Sequence, residues 1–183
     1  MKFVLFFSIL CSWSNELLSQ PLSANSKTKI YLVRHAEKES GSDPVLTTAG
    51  KKRAGDLMRK LMNKHLRHVY VSQYRRTQMT ADSMRIQLGI DTVHYTADTT
   101  GEDLFNTIRQ HNDWGKTILV VGHSNTILRI AMRLGVKNNA PLEIPDNEFD
   151  NLFLLQYKKG KAILSWSKYG MPSKTTTSIQ SMK

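Results

Sequence analysis

The sequence predicts an α/β protein, a three-layer α/β/α sandwich with a mostly parallel central sheet. Two observations support this class: short apolar runs alternate with helical patterns along the chain, and histidines or arginines follow the ends of three of those runs. A chain of 183 residues, 40% of them hydrophobic, can build one ordinary core. We therefore expect one domain, over residues 29–170.

Four apolar runs predict the parallel strands, and four amphipathic segments predict the helices. The strands are expected at residues 29–33, 68–72, 91–95 and 117–121. The first helix follows the Asp43-Pro44 turn, is capped by Thr47 or Thr48, and repeats apolar residues at helical spacing. The other helices are expected at 76–88, 102–111 and 125–134, and a terminal hairpin is expected from 151–157 and 161–167.

The N-terminus has the order of a secretory signal peptide. Lys2 precedes a short apolar run and then a polar stretch, and the run is too short to span a bilayer. We expect residues 1–19 to be removed after Ser19, with cleavage after Ala24 as the second choice and a retained N-terminal anchor as the alternative. The protein is then periplasmic or secreted, with no stable membrane insertion after cleavage. Residues 20–28 read as a linker, and residues 171–183 predict a disordered tail.

Composition limits the chemistry and the partners. Cys11 is the one cysteine and lies in the predicted signal peptide, so neither disulfides nor thiolate catalysis is expected in the mature chain. The formal net charge of +11 favours anionic partners, such as phosphorylated molecules, nucleic acid or an acidic surface. The basic residues are spread along the chain without a nucleic-acid motif, so we expect no nucleic-acid partner.

Histidines and arginines gather where the predicted strands end. Arg34 and His35 end the first strand, Arg76 follows the second, and His123 and Ser124 follow the fourth. Because parallel strands present their carboxyl ends at the same edge of a sheet, we expect these residues to be neighbours.

This set of side chains is suited to phosphoryl chemistry. Guanidinium groups bind a tetrahedral dianion, and backbone N–H groups after Gly122 would add donors, with Ser124 as the expected backbone ligand. A neutral imidazole in that field can attack phosphorus. We expect no metal and no other cofactor, since the arginines neutralise the developing charge and would repel a zinc ion held by the two histidines.

Four sequence blocks resemble the histidine phosphatase superfamily, the phosphoglycerate mutase-like group, in its small branch without a large cap. The resemblance runs from about Lys29 to Tyr169. "LVRHAEKE" is similar to the Arg-His-Gly-Glu signature with Ala36 in place of glycine, and "LTTAGKKRA" is similar to a structural stretch of the family. "VSQYRRTQMTA" resembles the Ser-x-x-x-Arg-x-x-x-Thr-Ala block, and "VVGHSNT" resembles the block that carries the second histidine.

The resemblance implies a role for each matched residue. His35 is the phosphorylated nucleophile and Arg34 is a phosphate ligand. Spacing from Ser72 in the "VSQYRRTQMTA" block implies Arg76, rather than Arg75, as the other phosphate-binding arginine. His123 is implied to bind the phosphoryl group and to stabilise the transition state.

The general acid is the one role without a matching residue. Counting back from Gly101, as in larger relatives, gives Ala97, so the neighbouring Asp98 is the candidate acid. The alternative is that Asp98 only ends a strand or caps the following turn. Other carboxylates compete for the role: Glu102, Asp43 and Glu37, the last with the alternative that it pairs with an arginine.

We expect hydrolysis of phosphoesters or phosphoramidates through a phosphohistidine on His35. The segment between Arg76 and His123 is used up by two helices and a short strand, which leaves no room for a lid domain. An open basic mouth suits a phosphorylated small molecule or phosphoprotein, and a mutase would need an enclosed pocket. Two alternatives remain: a noncatalytic phosphate-binding module, and a basic envelope or nucleic-acid binding protein.

Overall fold

A computed structural model describes residues 27–137, 144–158 and 161–173. The predicted signal peptide, nearly all of the predicted linker and residues 174–183 of the predicted tail lie outside the described residues. These parts of the domain organisation stay predictions.

The described chain forms ten elements in the order expected from the sequence, and the predicted α/β class is confirmed. The strands are β1 (Thr28–Arg34), β2 (Val69–Ser72), β3 (Thr92–Tyr95), β4 (Thr117–Gly122), β5 (Asn151–Lys158) and β6 (Lys161–Lys168). The helices are α1 (Thr48–Leu61), α2 (Arg75–Leu88), α3 (Glu102–Gln110) and α4 (Ile127–Arg133). The six strands form one sheet in the order β3-β2-β4-β1-β5-β6, in which β5 runs antiparallel to β1 and to β6 and the other pairs are parallel.

Alternating side chains of the central strands build a separate core on each face of the sheet. Tyr31 and Val33 of β1 pack with Leu57 of α1 and Met84 of α2. Ile30 and Leu32 point the other way, into a cluster with side chains of α3 and α4. Because strand side chains alternate with a period of two, a continuous apolar run is what a strand buried on both faces requires. The helices therefore lie on both faces, which gives the three predicted layers.

The start of α1 fixes the segment that follows β1. Thr47 caps the helix, as predicted, by accepting a hydrogen bond from the Gly50 backbone N–H at 3.0 Å. A Cβ at Gly50 would lie 2.1 Å from the carbonyl oxygen of Glu37, so only glycine allows this approach. The glycine of the predicted structural stretch thus packs the helix against the chain directly after His35.

Two boundaries differ from the sequence-based expectation by more than one residue. Helix α4 begins at Ile127 rather than near Asn125, because His123 N–H donates to Thr126 Oγ1 and the chain turns before it enters the helix. At the C-terminus, the Arg53 guanidinium donates to the carbonyl of Met171 at 2.9 Å and Ser173 N–H donates to Asp150 at 3.0 Å. The described fold therefore continues three residues past the expected domain end at 170. None of the helices within the described ranges is long and apolar enough to cross a membrane.

Candidate active site

The pairing of β1 with β4 brings the two strand-end histidines together. Arg34 pairs with Gly122 in register, and His35 N–H donates to the Gly122 carbonyl at 2.9 Å. The rings of His35 and His123 lie 5.4 Å apart between centroids, and the residues are only 3% and 7% exposed. Both line a cavity of about 360 Å³, together with Arg34, Lys38, Tyr74, Arg76, Ala97, Thr99, Ser124, Asn125 and Thr126.

His35 has the tautomer and charge of a nucleophile. Its Nδ1 lies 2.8 Å from the carbonyl oxygen of Ala36, which can only accept, so Nδ1 carries the proton. Burial, with a smaller contribution from the charge of Arg34, lowers the pKa of His35 to about 3. At neutral pH the ring is therefore uncharged, and Nε2 carries the lone pair.

His123 is held by a chain of hydroxyl groups. Its Nδ1 lies 3.3 Å from an Arg76 guanidinium nitrogen, which can only donate, so Nδ1 accepts and Nε2–H donates to Ser72 Oγ at 2.9 Å. Ser72 Oγ lies 3.0 Å from Thr77 Oγ1, which donates to the Tyr74 carbonyl. Burial and then the charge of Arg76 lower the pKa of His123 to about 4, so this ring is also neutral at pH 7.

The loop before β5 and an aromatic ring fix Arg34. Its Nη1 donates to the carbonyls of Pro145, Asp146 and Glu148 at 3.1, 2.8 and 3.2 Å. Its Cζ lies 4.2 Å from the centre of the Phe149 ring, a cation–π contact. The guanidinium is thus oriented by groups that are distant from Arg34 in the sequence.

Arg76 has a matching arrangement on the other side of the cavity. Its Cζ lies 4.2 Å from the centre of the Tyr74 ring, and the same ring meets His123 edge to face at 5.2 Å. The carboxylate of Asp43 lies 3.7 Å from Nη1, so the charge of Arg76 is partly balanced from outside the cavity.

Each arginine keeps one buried donor without a partner. Within the residues that the structure describes, the Nε–H groups of Arg34 and Arg76 are buried and make no hydrogen bond. Buried donors normally have partners, because leaving one unpaired costs about 1–3 kcal/mol. Both arginines also line one cavity, and guanidinium groups are good hydrogen-bond donors to an oxyanion ligand.

Ser124 lies in the turn between β4 and α4. It lines the cavity, and its hydroxyl donates to Asp146 at 3.2 Å. Because α4 starts only at Ile127, backbone donors near Ser124 belong to this turn and not to the first turn of the helix. Its role as a backbone phosphate ligand stays a prediction.

Asp98, the candidate general acid, is engaged by the backbone of its own loop. Its carboxylate accepts from the backbone N–H groups of Thr100, Gly101 and Asp103 and from the Thr100 hydroxyl. Although partial burial opposes it, these hydrogen bonds keep the pKa of Asp98 below its usual value. The cavity is lined at this loop by Ala97 and Thr99. These contacts favour the capping interpretation over proton donation.

The three competing carboxylates also have partners. Glu37 forms a bidentate pair with the buried Arg53, at 2.7 to 3.0 Å, in line with the expectation that it pairs with an arginine. Glu102 pairs with Arg133 at 2.5 Å on the surface. Asp43 accepts from the Arg75 backbone N–H at 3.0 Å and lies 3.7 Å from Arg76 Nη1.

Sequence reasoning missed several residues at the site, among them Tyr74, Lys38 and Asp146. Tyr74 lies in the quoted "VSQYRRTQMTA" block and contacts Arg76, while Lys38 follows His35 by three positions and lines the cavity. Asp146, 93% exposed at its side chain, lies 3.5 Å from Arg34. Only Tyr74 and Lys38 stand inside recognised blocks, so the sequence carried a signal for them but none for Asp146.

No metal ligand cluster accompanies the site. In the described ranges, no group of three or more histidine, cysteine, aspartate or glutamate side chains is placed to hold a metal ion. Metal independence itself stays a prediction.

The sheet order and the paired histidines and arginines define an α/β protein of the histidine phosphatase fold. Residues 30–99 match the sequence model of the Histidine phosphatase superfamily (branch 1), so the predicted resemblance to this family is confirmed. No curated protein matches the chain at a significant level.

Solved structures share the fold at low sequence identity. The protein histidine phosphatase SixA, complexed with tungstate, matches with a TM-score of 0.60 and 15% identity over 77% of this chain and 96% of its own. A mycobacterial glucosyl-3-phosphoglycerate phosphatase matches with a TM-score of 0.60 and 12% identity over 78% and 98%. A phosphoserine phosphatase mutant from Entamoeba histolytica, in complex with phosphoserine, matches with a TM-score of 0.53 and 14% identity over 76% and 96%. At these identities the likeness concerns the fold.

Proposed function

We propose that this protein is a metal-independent phosphatase that works through a phosphohistidine on His35. The observation that carries the proposal is a neutral His35, with Nε2 unprotonated, in a cavity where Arg34 and Arg76 each keep an unpaired buried Nε–H. The nucleophile and the anion-binding donors are thus part of one preorganised site.

The reaction consists of two displacements at phosphorus. In the first, the lone pair of His35 Nε2 forms a bond to phosphorus while the bond to the leaving group breaks, and the leaving group departs with the bonding electrons. In the second, water attacks phosphorus and gives its proton to solvent, the P–N bond breaks with its electrons returning to His35 Nε2, and phosphate is released. Arg34 and Arg76 stabilise the charge on the phosphoryl oxygens in both steps.

The arrangement of the carboxylates favours substrates whose leaving group can depart without a proton from the enzyme. Asp98, Glu37 and Glu102 are engaged by partners away from the cavity. An alkoxide needs a proton delivered in the transition state, whereas a phenolate, or an imidazole protonated beforehand, departs more readily. We therefore place phosphohistidine and aryl phosphates ahead of alkyl phosphates.

The proposal is tested by hydrolysis of p-nitrophenyl phosphate with purified residues 20–183. We expect turnover that EDTA leaves unchanged, that vanadate inhibits, and that passes through an acid-labile phosphorylated protein. Loss of activity on EDTA treatment, restored by zinc or magnesium, would refute the metal-free mechanism. The engagement of the candidate acids favours one second function, a phosphate-binding module without turnover. Phosphate binding without hydrolysis of any aryl phosphate or phosphohistidine peptide would establish that module instead.

We also propose export, on the basis of the apolar N-terminal run alone. Expression of the full chain followed by N-terminal sequencing of the mature product tests it. A new N-terminus at Gln20 in the extracytoplasmic fraction is expected, and an intact Met1 in the cytoplasm would refute it.

A further inference from the structure

The cavity contains a third cation that the proposed phosphoryl site does not use. Its lining includes Lys38 as well as Arg34 and Arg76. Arg34 lies 3.5 Å from the carboxylate of Asp146, and Arg76 lies 3.7 Å from that of Asp43. Across the described part of the chain, the ammonium group of Lys38 has neither an ion-pair partner nor a hydrogen-bond partner. Among the described residues, Lys38 is thus the lining cation without a counter-charge.

The backbone on both sides of Lys38 is fixed. The carbonyl of Glu37 accepts from Thr47 N–H at 3.0 Å, and Glu39 N–H donates to the Val45 carbonyl at 2.9 Å. Lys38 itself pairs with Leu46 in an isolated bridge. The side chain therefore starts from a constant position at the cavity, and only its own torsions bring the ammonium group to a ligand.

The chemistry of the three cations assigns the phosphoryl group to the arginines and leaves Lys38 for another anion. His35 and His123 are neutral at pH 7, so the fixed positive charge of the cavity comes from the two arginines and Lys38. The arginines have the planar forks that bind phosphoryl oxygens, whereas a lysine on a flexible stem acts as a point charge. A cavity of about 360 Å³ also has room for part of a leaving group.

We propose that Lys38 binds a second anionic group of the substrate, a carboxylate or a further phosphate carried on the leaving group. The protein then selects phosphorylated substrates that bear such a group close to the phosphoryl group. This inference rests on the proposed phosphatase function, because it assigns the phosphoryl group to the arginines.

Aryl phosphates with leaving groups of similar acidity isolate the effect. Phenyl phosphate lacks a second anion, 4-carboxyphenyl phosphate adds a carboxylate, and hydroquinone bisphosphate adds a phosphate. An exposed ion pair is worth about 0.2–1 kcal/mol, so Lys38→Met should lower kcat/KM by up to about fivefold for the two substrates with a second anion and spare phenyl phosphate. Lys38→Arg should restore the preference. Lys51→Met, at an exposed lysine of α1 outside the cavity, should leave all three rates unchanged.

The two anions are distinguished within the same experiment. A loss confined to 4-carboxyphenyl phosphate identifies a carboxylate, and a loss confined to the bisphosphate identifies a second phosphate. An equal change on all three substrates, or none on any, overturns the inference.

Binding without turnover separates this inference from the proposed function. Titration calorimetry with phenylphosphonate and 4-phosphonobenzoate needs no catalysis, and we expect tighter binding of the carboxylated compound in the wild type but not in Lys38→Met. If the wild type binds both compounds equally, the inference about Lys38 is overturned, but the proposed phosphatase function is not. Failure to bind either compound refutes the anion site itself, and this inference with it.

Discussion

Arg76 donates to Nδ1 of His123 at 3.3 Å, and one aromatic ring, that of Tyr74, contacts both partners. This relationship fixes the tautomer of His123, because a guanidinium cannot accept a hydrogen bond. The pair is therefore set before any ligand arrives, and its geometry depends on a residue outside the expected catalytic set.

Tyr74→Ala should weaken vanadate inhibition. The loss in the free energy of vanadate binding should exceed the loss in the free energy of unfolding. A cation–π contact is worth about 0.5–2 kcal/mol, so we expect vanadate to bind about two- to thirtyfold more weakly. Tyr74→Phe keeps the ring and should restore binding. The control, Tyr157→Ala in β5, removes a ring that packs on Trp114 and should leave vanadate inhibition unchanged. An equal effect of Tyr74→Phe and Tyr74→Ala would contradict a positioning role of the ring.

His35→Ala should reduce hydrolysis of p-nitrophenyl phosphate to the background rate and leave phosphate binding largely intact. The two arginines and the turn after Gly122 do not depend on the imidazole for their own contacts. Activity and calorimetric binding of phosphate are measured on the same preparation. His94→Ala, at an exposed histidine of β3, is the matched control. Near-normal turnover in His35→Ala would show that the covalent mechanism is wrong.

Asp98→Ala should lower the stability of the fold and should not change the ratio of the hydrolysis rates of aryl and alkyl phosphates. Loss of a capping carboxylate costs about 1 kcal/mol, whereas Asp98→Asn keeps an acceptor oxygen and should cost less. Thermal unfolding and the hydrolysis of an aryl and an alkyl phosphate are compared with Asp82→Ala, which removes only an exposed pair with Arg85. A steep loss confined to the alkyl phosphate in Asp98→Asn would instead assign Asp98 as the general acid.

The free energy of unfolding should fall as the pH is lowered from about 6.5 to 4. Folding lowers the pKa of His35 to about 3 and that of His123 to about 4, so the unfolded chain binds protons in this range that the folded chain does not. The contribution is complete above pH 6.5 and is lost as the pH falls. His35→Asn should flatten the slope by about 1 kcal/mol per pH unit in urea unfolding, and His94→Asn should not. A slope unchanged by His35→Asn would show that this histidine is not held neutral by the fold.

The parts of the structure that depend on local pattern could be predicted from the sequence. Buried strands and helices have a recognisable hydrophobic period, and particular residues begin or end them, as the helix cap at Thr47 shows. Arg34, His35 and His123 could be placed together because parallel strands end at the same edge of a sheet. These inferences need the order of elements and no side-chain detail.

The role of the candidate acid and the partners of Arg34 could not be predicted, because they depend on how side chains are oriented in the folded protein. Asp98 lies next to the expected position, but hydrogen bonds to its own loop decide its role. Asp146 and Phe149 reach Arg34 through a loop more than a hundred residues along the chain. Lys38 could be located in its block, yet its lack of a partner is a property of the folded surroundings.

The register that joins Arg34 to Gly122 constrains how this sequence can change over evolutionary time. An apolar residue within β1 or β4 can be exchanged for another of similar volume, because the core requires shape and not identity. Insertion or deletion of one residue would turn every later side chain to the opposite face and displace one histidine from the other by about 3.3 Å. Lineages that keep the two histidines together are therefore free to vary the composition of these strands but not their length.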